Sequence, residues 1–183
     1  MTELSNRSAL LVVDVQVAPF IWKDFGGKEL YRSEALIETL ETLIKQARTA
    51  GSPVIYLQYT ERGESLRAEG GPLWPIHPVI TPREGDLVLV KYETDSFHGT
   101  NLHEELQARG IGHVVVTGVQ TEFCVDTTCR SAQRLGYRTT LVADGHSTFD
   151  TNRLTAEMIV GHHNDTLGAG FTEVTAAKEV EFR

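Results

Sequence analysis

Apolar residues along the chain fall into two recurring patterns, short unbroken runs and longer stretches with helical spacing. Ala9-Leu10-Leu11-Val12-Val13 is continuous and stops at Asp14, which predicts a strand buried on both faces. Leu36, Leu40, Leu43, Ile44 and Ala47 recur at intervals of three and four before Gly51, and predict a helix with its stop. Residues 53–59 read as a second strand, with Pro53 at the end where a strand tolerates proline. A third strand is predicted over residues 87–90, a helix over 101–109 and a fourth strand over 113–117. Val125, Thr128, Cys129, Ala132 and Leu135 then mark one face of a helix ended by Gly136. Residues 139–143 predict a fifth strand, 153–167 a last helix and 171–174 a short sixth strand. Residues 61–86 hold several Gly and Pro and show no period. They read as a long loop with at most one helical turn, and loops of that length are usually functional.

Strand and helix alternating through the whole chain predict an α/β fold, a three-layer αβα Rossmann-like sandwich with a mostly parallel sheet of about six strands. No repeat, low-complexity stretch or linker interrupts it, so residues 1–183 read as one domain. In such sheets ligands bind beyond the carboxyl ends of the strands. The residues just past each strand are therefore the ones that matter for chemistry.

Composition narrows the picture by exclusion. Apolar residues make up 40% and charged residues 23% of the chain, which fits a globular protein and not a disordered or fibrous one. A net charge of −8 with scattered Lys and Arg argues against nucleic-acid binding. The longest apolar run, at residues 9–13, is too short for a bilayer, and residues 1–8 lack the pattern of a secretion signal. A cytoplasmic protein without a membrane partner is expected. The two cysteines, Cys124 and Cys129, lie on one predicted helix and point to different faces, so a disulfide between them is not expected.

Three reactive side chains sit at strand ends. Asp14 follows the first strand, Lys91 follows the third, and Cys124 lies a short turn past the fourth, at the start of a helix. A helix N-terminus and a nearby ammonium both favour a thiolate, so the thiol of Cys124 is expected to titrate below its free value near 8.5. A carboxylate can take the thiol proton and later deliver it to a leaving group. Backbone N–H groups of the turn 118–124 can hold a developing oxyanion, with Gly118 allowing an unusual backbone path. The competing reading is packing: Cys is among the most buried residues, Asp often caps turns, and Lys after a strand is usually solvated. Cys129, on the apolar face, fits packing.

Other features matter less. His77, His98, His103, His146, His162 and His163 match no compact zinc spacing, so no metal is expected. The loop aromatics Phe20, Trp22, Trp74 and Phe97 are expected to line the substrate pocket. Gln16 either orients substrate or hydrogen-bonds a turn.

The stretches Leu11-Val12-Val13-Asp14-Val15-Gln16, Val90-Lys91-Tyr92 and Val116-Thr117-Gly118-Val119-Gln120-Thr121-Glu122-Phe123-Cys124-Val125 resemble those of the isochorismatase-like cysteine hydrolases, which include nicotinamidases and related amidases. Ala143-Asp144-Gly145-His146 and the downstream His162-His163 are similar to the same family. The resemblance implies Asp14 as general acid/base, Lys91 as the cation that stabilises the thiolate, and Cys124 as nucleophile. It further implies a cis peptide at Val119–Gln120, which presents the N–H of Gln120 beside that of Cys124 as an oxyanion hole. Amide or lactam cleavage through a thioester, without cofactor, is the implied activity, and a homo-oligomer the implied assembly. Three departures stand out. Cys124 argues against vinyl-ether cleavage, which relatives with glycine there perform. Residues 58–64 contain no Asp-x-His, which argues against a nicotinamidase-type metal site. The acidic residue many relatives show before the Phe matching Phe20 is missing. Residues 70–78 and 95–100 resemble a subgroup that includes streptothricin hydrolases, which open a cyclic amide. The alternatives are a nicotinamidase-type amidase, a thiol redox sensor and a non-catalytic binding module on the same scaffold.

Overall fold

A computed structural model describes residues 6–183, so most of the N-terminal stretch read for a secretion signal lies outside the described residues. Six strands form one sheet in the order β3-β2-β1-β4-β5-β6. They are β1 (Ser8–Val13), β2 (Val54–Tyr59), β3 (Leu87–Lys91), β4 (His113–Val119), β5 (Arg138–Ser147) and β6 (Glu173–Thr175). Every neighbouring pair runs parallel. Five helices accompany them: α1 (Val17–Ile21), α2 (Ser33–Thr49), α3 (Leu102–Ala108), α4 (Asp126–Arg134) and α5 (Ala156–Gly168).

The unbroken run at the start of the chain is explained by cover on both faces. Leu10 and Val12 point to the side of α2, where they meet Leu36, Leu40 and Leu43. Ala9, Leu11 and Val13 point the other way, toward Leu102 and Leu106 of α3, Cys129 and Ala132 of α4, and Leu167 of α5. A strand whose alternate residues both enter a core has no polar positions to show. Among the described residues, no helix is long and apolar enough to cross a membrane.

The structure departs from the sequence expectations at several boundaries. Lys91 is the last residue of β3 and does not follow it. β4 continues through Gly118 to Val119. β5 is twice the expected length because it absorbs an insertion: Val116 pairs with Leu141 and Gly118 with His146, so residues 142–145 bulge opposite the single Thr117. The last helix begins at Ala156, since the Thr155 hydroxyl accepts from the N–H of Met158 and caps it there. The short helix α1 and the 3₁₀ turn Trp22–Phe25 that follows it were not expected, being too brief for a period. The long loop after β2 holds one 3₁₀ turn, Pro78–Ile80, and is tied back to the exit of β1 by a bridge between Gln16 and Ile76.

Candidate active site

β1 and β4 lie side by side at the point where strand order reverses, with β2 and β3 to one side and β5 and β6 to the other. That is where an open parallel sheet offers a crevice. Asp14 leaves β1 with φ +54°, in the left-handed region that Asp enters more readily than most residues. Opposite it, Gly118 has φ +123°, and a Cβ there would stand 2.0 Å from the carbonyl oxygen of Val13. Only glycine lets β4 approach β1 this closely where the reactive residues begin. Lys91 reaches across β2 from the end of β3, with its Nζ 5.3 Å from the centre of the Tyr59 ring and 2.8 Å from Oδ2 of Asp14.

Cys124 is held by a different device. The Val119–Gln120 peptide is cis, and residues Thr121–Val125 form a π-helical turn that runs into α4. The N–H groups of Phe123 and Val125 both donate to the carbonyl of Gln120, each at 3.2 Å. The turn is braced from behind by His146 of β5. Thr121 Oγ1 lies 2.8 Å from His146 Nδ1, and His146 Nε2 lies 2.9 Å from Asn164 Oδ1. The amide nitrogen of Asn164 donates to the carbonyl of Ala143, so its oxygen must accept from the imidazole. The proton of His146 is thereby assigned to Nε2, and Nδ1 accepts from Thr121. Burial first of all pushes the His146 pKa down to about 4, which keeps the ring neutral. On its other side α4 is fastened to the loop beyond Lys91, through Thr128 to Ser96 at 2.7 Å and Ser131 to Asp95 at 2.6 Å.

Asp14, Lys91 and Cys124 meet in one cluster: Lys91 pairs with Asp14, and the charges of both act on the thiol of Cys124. Lys91 is completely buried, and its ammonium also donates to the carbonyls of Glu93 at 2.9 Å and Thr94 at 3.4 Å. Burial opposes its charge, but Asp14 and Cys124 together hold its pKa above the ordinary lysine value. Burial pushes the Asp14 carboxyl up, against the pull of Lys91. The thiol of Cys124 behaves opposite to the sequence expectation. It is pushed up to about 12, first by burial and then by the Asp14 charge, and Lys91 offsets only part of this. The sequence shows the cation but not the depth of the site, and depth decides the sign.

A cavity of about 200 Å³ opens over Cys124, lined by Asp14, Gln16, Tyr59, Arg67, Gln120 and Phe123 among others. Gln16 contributes wall but few free polar atoms: its amide nitrogen donates to the carbonyls of Tyr59 and Trp74, and its oxygen accepts from the N–H of Tyr59. Of the two roles considered for it, the turn-bonding one is occupied. Three aromatic expectations are corrected. Phe20 packs on the α2-side core and against the His77 ring at 4.5 Å between centres. Trp74 donates its indole N–H to Thr60. Phe97 packs on the opposite core and stacks on Tyr137. None of the three lines this cavity or the neighbouring one, because each found an apolar surface or a hydrogen-bond partner inside the fold. Trp22 does line the neighbouring cavity. Tyr59, Arg67 and Phe123 were missed. Phe123 and Tyr59 carried a usable signal, adjacency to Cys124 and a strand's carboxyl end, whereas Arg67 sits in an aperiodic loop that offers none. Among the described residues, no group of three or more His, Cys, Asp or Glu side chains is placed to hold a metal ion.

Residues 8–167 match the family model described as the isochorismatase domain. The streptothricin hydrolase of Streptomyces noursei is 37% identical over 142 residues, which cover 78% of this chain and 50% of that protein. This chain thus spans about half the length of that relative. The ureidoacrylate amidohydrolase RutB of Klebsiella variicola (strain At-22) is 31% identical over 169 residues, covering 75% of this chain and 72% of that one. Among solved structures, one described as a putative isochorismatase hydrolase from Oleispira antarctica superposes with a TM-score of 0.88. It is 28% identical, and the match covers 98% of this chain and 97% of that one.

Proposed function

The chain belongs to the isochorismatase family, and on that premise we propose that it hydrolyses a non-peptide C–N bond, in a small amide or lactam, through a thioester on Cys124. The observation that carries this reading is the buried ion pair between Lys91 and Asp14, 2.8 Å long, beside a thiol at the floor of a cavity. A charge pair in such a place stabilises the fold weakly at best, because desolvation offsets most of the attraction. It makes sense as a proton-transfer device.

With its pKa near 12, the resting thiol keeps its proton, and we assign the negative charge to Asp14, beside the Lys91 ammonium. As Sγ bonds to the substrate carbonyl carbon, the thiol proton passes to Asp14. Lys91 offsets the charge on sulfur as it develops. The carbonyl oxygen becomes anionic, and the backbone N–H groups of Gln120 and Cys124 are the donors we assign to it. The proton then moves from Asp14 to the nitrogen, the C–N bond breaks and the amine or ammonia leaves. Water attacks the thioester, giving one proton to Asp14, which returns it to sulfur as the acid departs. The neutral Nε2–H tautomer of His146 takes no part in these transfers. It holds Thr121 and so the turn that aims the nucleophile.

Ring opening of a lactam draws support from the similarity to the streptothricin hydrolase, and release from an open-chain amide from that to the ureidoacrylate amidohydrolase. Cys129 is fully buried among apolar side chains, which weighs against a disulfide relay with Cys124. The deciding experiment is an ammonia-release and mass-shift screen over open-chain amides and lactams, with Cys124→Ala as the blank. Turnover by the wild type accompanied by an acylated protein mass supports the reading. Equal turnover by Cys124→Ala ends it.

A further inference from the structure

The cavity over Cys124 continues into a second chamber of about 360 Å³, and Ala18, Pro19, Arg67 and Gln120 form walls of both. Of these two chambers, the outer one adds Trp22, Gly27, Lys28 and Phe149 to the lining. Among the described residues, its charged lining side chains are Arg67 and Lys28, both cations, and no carboxylate lines it. The only carboxylate of the inner cavity, Asp14, is already paired with Lys91. In a chain of net charge −8, both charged side chains of the outer chamber are cations, one of them, Arg67, paired with Glu61 outside the lining.

Arg67 is also held in place. Its guanidinium carbon lies 5.6 Å from the centre of the Trp22 ring and 5.7 Å from that of Tyr59. Glu61 engages its Nη2, and Ser65 in turn donates to Glu61. The pairing fixes the fork through one nitrogen, and the other donors are committed to no side chain among the described residues. Lys28 spends one donor on the carbonyl of Asp150, at 2.8 Å, and has two more. Trp22 lies so close to Gly27 that a Cβ there would stand 1.9 Å from its ring. A planar fork fixed between two aromatic rings beside an ammonium is suited to a planar, bidentate anion.

We infer that the outer chamber is a carboxylate subsite, so that the substrate is an amide whose end remote from the scissile carbonyl carries a carboxylate bound by Arg67 and Lys28. This rests on the amidase reading of Cys124. The test therefore has one arm that needs turnover and one that does not. In the first, matched primary amides of three to five carbons ending in carboxylate, methyl or ammonium are assayed for ammonia release, with Cys124→Ala as the blank. We expect the carboxylate member to lead the methyl member in kcat/KM by about tenfold or more. Arg67→Gln should collapse that ratio, mainly through KM, and Arg67→Lys should restore part of it. A wild-type preference for the methyl or ammonium member, or equal losses on all members in Arg67→Gln, overturns the subsite. In the second arm, the dicarboxylic acids that such hydrolysis would release are titrated calorimetrically into wild type and Arg67→Gln. Binding about tenfold weaker in the variant supports the subsite, and equal or absent binding overturns it. Carboxylate binding without Cys124-dependent turnover would instead refute the amidase reading and leave the subsite standing.

Discussion

The two edges of the sheet are buried to a similar degree and organised by opposite rules. At the amino edge, Ser8 accepts from the N–H of Arg183 at 3.1 Å and lies 3.1 Å from His113 Nδ1, while His113 Nε2 lies 2.8 Å from Thr140 Oγ1. The side chains that bond to one another there, Ser8, His113 and Thr140, carry no charge. Burial pushes His113 down to about 4, so it stays uncharged. At the carboxyl edge, the Lys91–Asp14 ion pair lies beside the thiol of Cys124, which faces a cavity. A saturated neutral network locks strands together. A charged one that includes a thiol is suited to moving a proton, the role proposed for it above.

Substitutions can break this contrast. Cys124→Ala should lower amide turnover by about 10³-fold or more with little change in the urea midpoint, because it removes the proposed nucleophile and deletes no buried charge. Turnover that persists in the variant would put the chemistry elsewhere. Lys91→Met should both suppress activity and destabilise the fold by about 3–5 kcal/mol, since it leaves the Asp14 carboxylate buried without its partner. A variant as stable as wild type would mean that the pair is not charged in the resting enzyme. His113→Leu should cost about 1–3 kcal/mol in urea unfolding, through the orphaned Ser8 and Thr140, while kcat stays unchanged.

pH separates the edges more gently. His113 and His146 have pKa values of about 4 in the fold, against an ordinary value of 6.5. Above pH 6.5 both are neutral whether folded or not, and stability owes nothing to their titration. Between about 6.5 and 4 the unfolded chain takes up protons that the fold refuses, so stability should fall by up to about 1.4 kcal/mol per pH unit for each group. His113→Gln should flatten part of that slope in thermal unfolding measured from pH 7 to 4, and an unchanged slope would assign it to other groups. The smallest effect is expected at Cys129→Ala, a loss of about 1 kcal/mol from the core and none in activity.

What the sequence made legible was whatever repeats or stands at a strand end. The run 9–13 announced a strand with two covered faces, and Asp14, Lys91 and Cys124 were found by their places beyond or at the ends of strands. The bulge in β5 was not legible, since residues 142–145 interrupt a period that pairing later resumes. Arg67 was illegible for a related reason: in an aperiodic loop, position along the chain says nothing of position in space. Phe20, Trp74 and Phe97 show the reverse error. Being aromatic and in loops made them look like lining, yet burial against His77, Thr60 and Tyr137 had a stronger claim on each. The thiol pKa failed because a list of nearby charges carries no measure of solvent exclusion.

Gly118 sets the close approach of β4 to β1 beside Asp14 by having no side chain, since even one methyl group would drive a wedge between two backbones. The reacting groups thus depend on the frame, whereas Trp22 and Arg67 belong to segments laid over it. If the proposed roles hold, chemistry and selectivity are anchored in different material. A graft that replaces residues 61–74 with another loop should change which molecules are accepted and leave the bond-breaking apparatus intact.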